Sequence, residues 1–145
     1  MNTRASVSKL LFGLSLFVAM LLAGCATVGG WVGMGTKLSG SQEVPPVTTS
    51  ASGTSKISIK DDRTVSGTVT VSGMKPTAAH IHEGAAGKNG PIIVPLTKTA
   101  DTTFSVPANA KLTEAQYKAY KAGNLYVNVH SAAHPGGEVR AQLKP

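Results

Sequence analysis

The sequence predicts an all-β fold, an antiparallel sandwich or barrel of short strands with one short helix, preceded by a cleaved lipoprotein signal peptide. Three observations carry this. From Leu38 onward, stretches rich in β-branched residues are separated by Gly, Pro, Ser and Asp, as strands between turns require. Several of them alternate apolar and polar residues with the period of two that a half-buried strand imposes. The 145 residues open on a segment whose composition belongs to targeting and not to a packed core.

That segment comes first in the chain. Arg4 and Lys9 precede an apolar run from Leu10 to Leu22, with no acid in between. The run falls short of the ~20 residues that span a bilayer as a helix, so it reads as a signal peptide and not as a membrane anchor. Leu22-Ala23-Gly24-Cys25 is similar to a bacterial lipobox, and Cys25 is the sole cysteine of the chain. One thiol forms no internal disulfide. Residues 1–24 are then the signal, and acylated Cys25 becomes the first mature residue, tied to the lipid bilayer by its acyl chains. Ala26 and not aspartate follows it, which in a Gram-negative cell directs a lipoprotein to the outer membrane, facing the periplasm. Residues 25–36, rich in glycine, form a flexible tether. Trp31 within it either dips into the lipid interface or docks on the domain.

Strands are expected at Thr36–Gly40, Gly53–Ile59, Thr64–Ser72, Ala78–His82, Pro91–Leu96, Thr102–Val106, Leu125–His130 and Glu138–Leu143. Alternation is clean for Ile57 and Ile59, for Val65, Gly67, Val69 and Val71, and for Val139, Ala141 and Leu143, so each strand should bury one face and wet the other. Asp61-Asp62-Arg63, Lys88-Asn89-Gly90 and His134-Pro135-Gly136-Gly137 supply hairpin turns, which makes the topology antiparallel. Pro45-Pro46 suits the end of an edge strand, because it cannot donate to a ladder. Thr113-Glu114-Ala115-Gln116 fits a capping box and Gly123 a C-terminal cap, so a helix of about two turns lies at about residues 113–122. It packs through Leu112, Tyr117 and Tyr120. Arg140 is expected to pair with Glu43 or Glu138, since charges in a small β domain seldom stay buried alone.

All four histidines fall in two segments, His80-Ile81-His82 and His130-Ser131-Ala132-Ala133-His134. On a strand His80 and His82 share one face, and His130 leaves the polar face of its own strand. If the two strands adjoin, one surface collects them. The functional reading is a metal site of His80, His82 and His130, completed by His134 or by Glu83 or Glu138. Imidazole nitrogen suits copper, zinc and nickel. Copper(II) ranks first and zinc second, because no thiolate cluster is present and copper(II) outranks zinc at a nitrogen-rich site. Met74 offers a distant soft ligand. In the opposing reading the imidazoles hydrogen-bond backbone groups and hold the 83–90 loop against the last hairpin.

Leu38-Ser39-Gly40 with Gln42 to Val47, Ala78 to His82, Asn89-Gly90-Pro91, Ala122 to His130, and His134 to Arg140 occur in an order that resembles the CHRD domain, first described in chordin. The resemblance covers about Thr36 to Leu143 and implies an immunoglobulin-like or β-barrel architecture over residues 37–145. By analogy with chordin it also implies an interaction module, with an envelope protein as partner.

Other classes recede. His80-Ile81-His82-Glu83-Gly84 looks like the copper-binding segment of copper/zinc superoxide dismutase, yet the chain has no disulfide pair and too few histidines for two metal sites. No serine triad, phosphate-cradling loop or paired carboxylates stand out, so binding is expected and catalysis is not. The net charge of +7 comes mainly from dispersed lysines without arginine clusters or interleaved aromatics, so a nucleic-acid footprint is not indicated. The lipobox reading has a direct test: radioactive fatty acid should label the wild-type protein and not Cys25→Ser, and the variant should leave the membrane fraction.

Overall fold

The computed structural model describes residues 35–145. The signal peptide, Cys25 and Trp31 lie outside them. The strands are β1 (Thr36–Ser39), β2 (Ser52–Ser55), β3 (Ser58–Ile59), β4 (Val65–Ser66), β5 (Thr68–Ser72), β6 (Pro76–Glu83), β7 (Ile92–Pro95), β8 (Thr97–Ala100), β9 (Thr103–Ser105), β10 (Leu125–Ser131) and β11 (Val139–Leu143). One helix, α1 (Glu114–Lys121), stands between β9 and β10, and a 3-10 turn covers Gly40–Gln42.

Nine strands form one antiparallel sheet in the order β7-β6-β10-β11-β1-β2-β5-β9-β8, while β3 and β4 make a separate pair. The two ends of the sheet, β7 and β8, are joined by Leu96 alone, whose N–H donates to Ala79 O at 3.0 Å. Lys98 Nζ donates to Pro76 O at 3.0 Å on the same side. The sheet therefore curls into a nearly closed barrel; of the two expected forms the barrel is found, not two packed sheets. Curling hides most of the edge backbone groups that an open sheet presents.

The interior is filled by the inward residues of alternate positions. Ala79 and Ile81 of β6, Leu125, Val127 and Val129 of β10, Val139, Ala141 and Leu143 of β11, Leu38, Val69, Val71 and Phe104 are all buried. Where the expected strands ran on, the chain breaks. Gly67 takes φ +119 and divides the expected Thr64–Ser72 strand into β4 and β5, and β4 turns away to pair with β3. Gly53–Ile59 divides likewise into β2 and β3. Strand β8 is exposed at all four residues, so no apolar alternation announced it in the sequence.

The helix follows its caps. Thr113 Oγ1 accepts from Gln116 N at 3.2 Å, Gln116 Oε1 accepts from Thr113 N at 2.8 Å, and Gly123 closes the end at φ +76. Buried Leu112 and Tyr120 dock it, with the Tyr120 hydroxyl on Lys144 O at 2.9 Å. The turn between β3 and β4 also forms as expected, with Arg63 at φ 72. One turn and one strand-end expectation are corrected. The tight turn between β6 and β7 is centred on Ala86-Gly87, where Lys88 N donates to Ala85 O at 3.0 Å, because the Asn89 side chain is drawn off to Val44 O at 2.7 Å. Pro45 and Pro46 lie in the loop between the 3-10 turn and β2, not at a strand end.

The expected wet outer face fails on the central strands. Tyr126 and Asn128 of β10 and Arg140 of β11 point away from the barrel interior by alternation, yet all are buried. Two loops roof them. The 84–91 loop is held by Arg140 Nη2, which donates to Ala85 O and Lys88 O at 3.0 Å each, and the 40–51 loop is tied to it through Asn89. A second, polar layer thus lies outside the barrel.

A side chain at Gly67 would meet both the positive φ and the Lys56 carbonyl oxygen. Gly67→Ala should lower the urea midpoint by a stability loss of about 1–3 kcal/mol or more, with the β-type circular dichroism retained.

Candidate metal centre

The site is a product of strand register. In the antiparallel pairing of β6 with β10, His80 faces Asn128 and His82 faces Tyr126. His130 is two residues beyond Asn128 on the same face, within diagonal reach of His80. The rings of His80 and His130 have centroids 4.8 Å apart, those of His80 and His82 5.7 Å, and those of His82 and His130 6.3 Å. One nitrogen from each of the three lies within 4.8 Å of the others, so the group could hold a metal ion. Three of the four expected histidines have come together.

His134 has not. It occupies the β10–β11 turn, where its N–H donates to Ser131 O at 3.2 Å and Gly137 N donates to His134 O at 3.1 Å. The expected carboxylate ligands also stay apart. Glu138 accepts from Thr49 Oγ1 at 2.7 Å and from Ser131 Oγ. Burial opposes its ionisation, but these two hydrogen bonds and the neighbouring His134 together hold its carboxyl below the usual range. Glu83 ends β6 outside the histidine group. Met74 packs against the hydrophobic core, since a thioether gains more there than at a polar surface.

Ring tautomers follow from the backbone. His82 Nδ1 is 2.9 Å from Gly90 O, and His130 Nδ1 is 2.9 Å from Pro135 O. A carbonyl only accepts, so in each neutral ring Nδ1 carries the hydrogen and Nε2 keeps its lone pair. Metal-bound histidines are oriented in this way, by a backbone acceptor on the far nitrogen. The His130 lone pair accepts from His80 Nδ1 at 3.0 Å, and His82 Nε2 is buried without a partner. The same two carbonyl bonds also tie loop to strand, as the purely structural reading expected, so the rings serve the fold as well.

Aromatic and cationic groups fix the His82 ring. Tyr126 stacks on it at 4.7 Å and 5°, and the Arg140 guanidinium lies 3.4 Å from the Tyr126 centroid. The expected ion pair of Arg140 with Glu43 or Glu138 is absent; among the described residues only Lys118 and Glu114 approach within 4.0 Å. Arg140 instead spends its donors on carbonyls and on Gln142 Oε1 at 2.8 Å, which a planar fork does well. Sequence reading passed over Tyr126 and Asn128, although their alternation with Val127 and Val129 placed them beside His130.

Residues 34–143 match the CHRD domain model. The chain belongs to the CHRD family. No curated protein and no solved structure matches it.

Within this CHRD domain burial, helped by the neighbouring His130 and His82, pushes the His80 imidazole below its ordinary value. Burial does the same for His82, against the opposing bond to Gly90. Glu43 moves the other way: burial lifts its carboxyl to about 7, although the Arg140 charge and Asn128 pull it down. The signs differ. Depressed imidazoles contribute stability that is present above the unfolded value near ~6.5 and is lost as pH falls through the folded one. A raised carboxyl contributes stability present below about 4.5 and lost as pH rises through about 7. Glu43→Gln keeps the shape of the protonated acid, so it should raise the melting temperature of the metal-free protein more at pH 8 than at pH 5.

Proposed function

We propose that this CHRD domain is a copper(II)-binding module of the bacterial cell envelope, held on the membrane by acylated Cys25. The observation that carries the metal reading is the convergence of His80, His82 and His130, with two rings aimed by backbone carbonyls. All three ligand atoms are imidazole nitrogens, a set that suits divalent copper, with zinc as the alternative. Outside the inner membrane the compartment is oxidising, which favours copper(II). The address rests on the lipobox-like segment ending at Cys25, and in a Gram-negative cell Ala26 after it favours the outer membrane, facing the periplasm. Binding, not turnover, is the proposed role, since the hydroxyl that lies beside a base there, Ser131 Oγ on the Glu138 carboxylate, is buried away from any substrate.

The test is a titration of the mature, tag-free protein with copper(II) and zinc(II). Wild type should take about one equivalent of copper(II), and its melting temperature should rise; free ion at a hundred times its dissociation constant adds about 2.7 kcal/mol. His80→Ala and His82→Ala should each abolish the rise. His82 is buried and bonded to Gly90, so its removal should also cost the metal-free fold roughly 1–3 kcal/mol, whereas half-buried His80 should cost less. Binding should weaken on acidification, because a protonated ring has no lone pair to give. A wild-type protein whose melting temperature ignores both ions would leave the histidines as structural groups only.

A further inference from the structure

Beside the histidine rings three buried atoms have no hydrogen-bond partner among the described residues: Glu43 Oε1, Asn128 Oδ1 and His82 Nε2. The residues that carry them are 4 %, 2 % and 8 % exposed. All three atoms are lone-pair donors, and His82 has already committed its only N–H to Gly90 O. Buried polar atoms are nearly always paired, so three unpaired acceptors in one place call for a common partner. While Glu43 is ionised all three only accept, and acceptors cannot satisfy one another. A cation answers all of them, two by ligation and the Glu43 carboxylate by charge.

Their placement fits one ion. Asn128 stands directly across from His80, between Tyr126, which faces His82, and His130, so it occupies the middle of the histidine group on the shared outer face. Glu43 comes in from the roofing loop. A Cβ built on Gly137 would lie 2.5 Å from Glu43 Oε1 and 2.6 Å from Asn128 Nδ2, so carboxyl and amide adjoin over this glycine. Gly137, at φ +128, leaves them the room. We infer that Asn128 Oδ1 is the fourth ligand of the ion held by His80, His82 and His130, and that the Glu43 carboxylate behind it supplies compensating negative charge. This rests on the metal reading and deepens it: three imidazole nitrogens, one amide oxygen and one nearby anion form a set for a divalent ion, and no sulfur is present to favour copper(I). The competing arrangement turns the Asn128 amide over, which gives His82 a donor and makes the residue a structural bridge only.

Copper(II) titration and electron paramagnetic resonance on the mature protein separate these. Wild type should bind about one equivalent. Asn128→Leu should weaken binding at least ~10-fold and shift the copper g-value and hyperfine splitting; Asn128→Asp, which offers an anionic oxygen, should bind tighter and shift them as well. Glu43→Gln should weaken binding by about 10–100-fold, as loss of an outer partner does, with little spectral change. Wild-type binding together with an Asn128→Leu protein of unchanged affinity and spectrum overturns the fourth ligand and leaves the three-histidine site standing. If Asn128→Leu does not fold, an unchanged Asn128→Asp affinity and spectrum overturns it equally. Unchanged affinity in Glu43→Gln overturns the charge role, and a wild type that binds neither copper(II) nor zinc(II) removes the metal reading and this inference together.

Discussion

The antiparallel register of β6 against β10 is the constraint on which the rest depends. It sets Ile81 opposite Val127 on the inside of the barrel, and on the outside it sets His80 opposite Asn128 and His82 opposite Tyr126. A slip by one residue would turn every one of these side chains to the other face, sending imidazoles into an apolar interior and valines into a polar layer. The inner and outer faces therefore enforce the same pairing. Because Ala79, Ile81, Leu125, Val127 and Val129 are buried almost completely, the register is specified by hydrophobic burial, and the histidine geometry is inherited from it.

The polar layer outside the barrel exists because loops cover it. Arg140 is the main tie: fully buried, it reaches two carbonyls of the 84–91 loop, the Gln142 side chain and the face of Tyr126. A guanidinium can be buried without a carboxylate when its donors find carbonyl oxygens and its face finds an aromatic ring. Through Tyr126 the same arginine braces the His82 ring. The loop that Arg140 holds also supplies Gly90, whose carbonyl fixes the His82 tautomer. Fold and site thus share their hydrogen bonds, and the structural and metal-binding readings of these histidines do not exclude each other.

Electrostatics within the layer are mixed. Depressed imidazoles keep lone pairs available, while Glu43 sits beside Asn128 as a buried acid that gains a proton near neutrality. The unpaired lone pairs of His82 Nε2 and Asn128 Oδ1 are unfavourable in a metal-free core, since a buried acceptor without a donor forfeits its hydration and receives nothing in return. A site that binds a cation tolerates such frustration because the bound state relieves it.

Much was legible in the sequence. Alternation and turn chemistry determined the β class, the antiparallel hairpins and the inward residues of β10 and β11, and the capping box with Gly123 determined the helix to within a residue or two. The H-x-H spacing alone placed His80 and His82 on one face, because that depends only on strand geometry. What required long-range contact was decided by the tertiary structure. Gly67 broke a strand because its φ answers to Lys56 and Val106, which are distant in the chain. The polar strand β8 formed because the barrel needed an edge partner for β9, not because its own residues demand it. His134 stayed out of the site and Asn128 moved into it, since a turn and a register, not spacing in sequence, determine which side chains converge. Local pattern fixes what each residue does along its own strand; only the pairing of strands fixes what it meets.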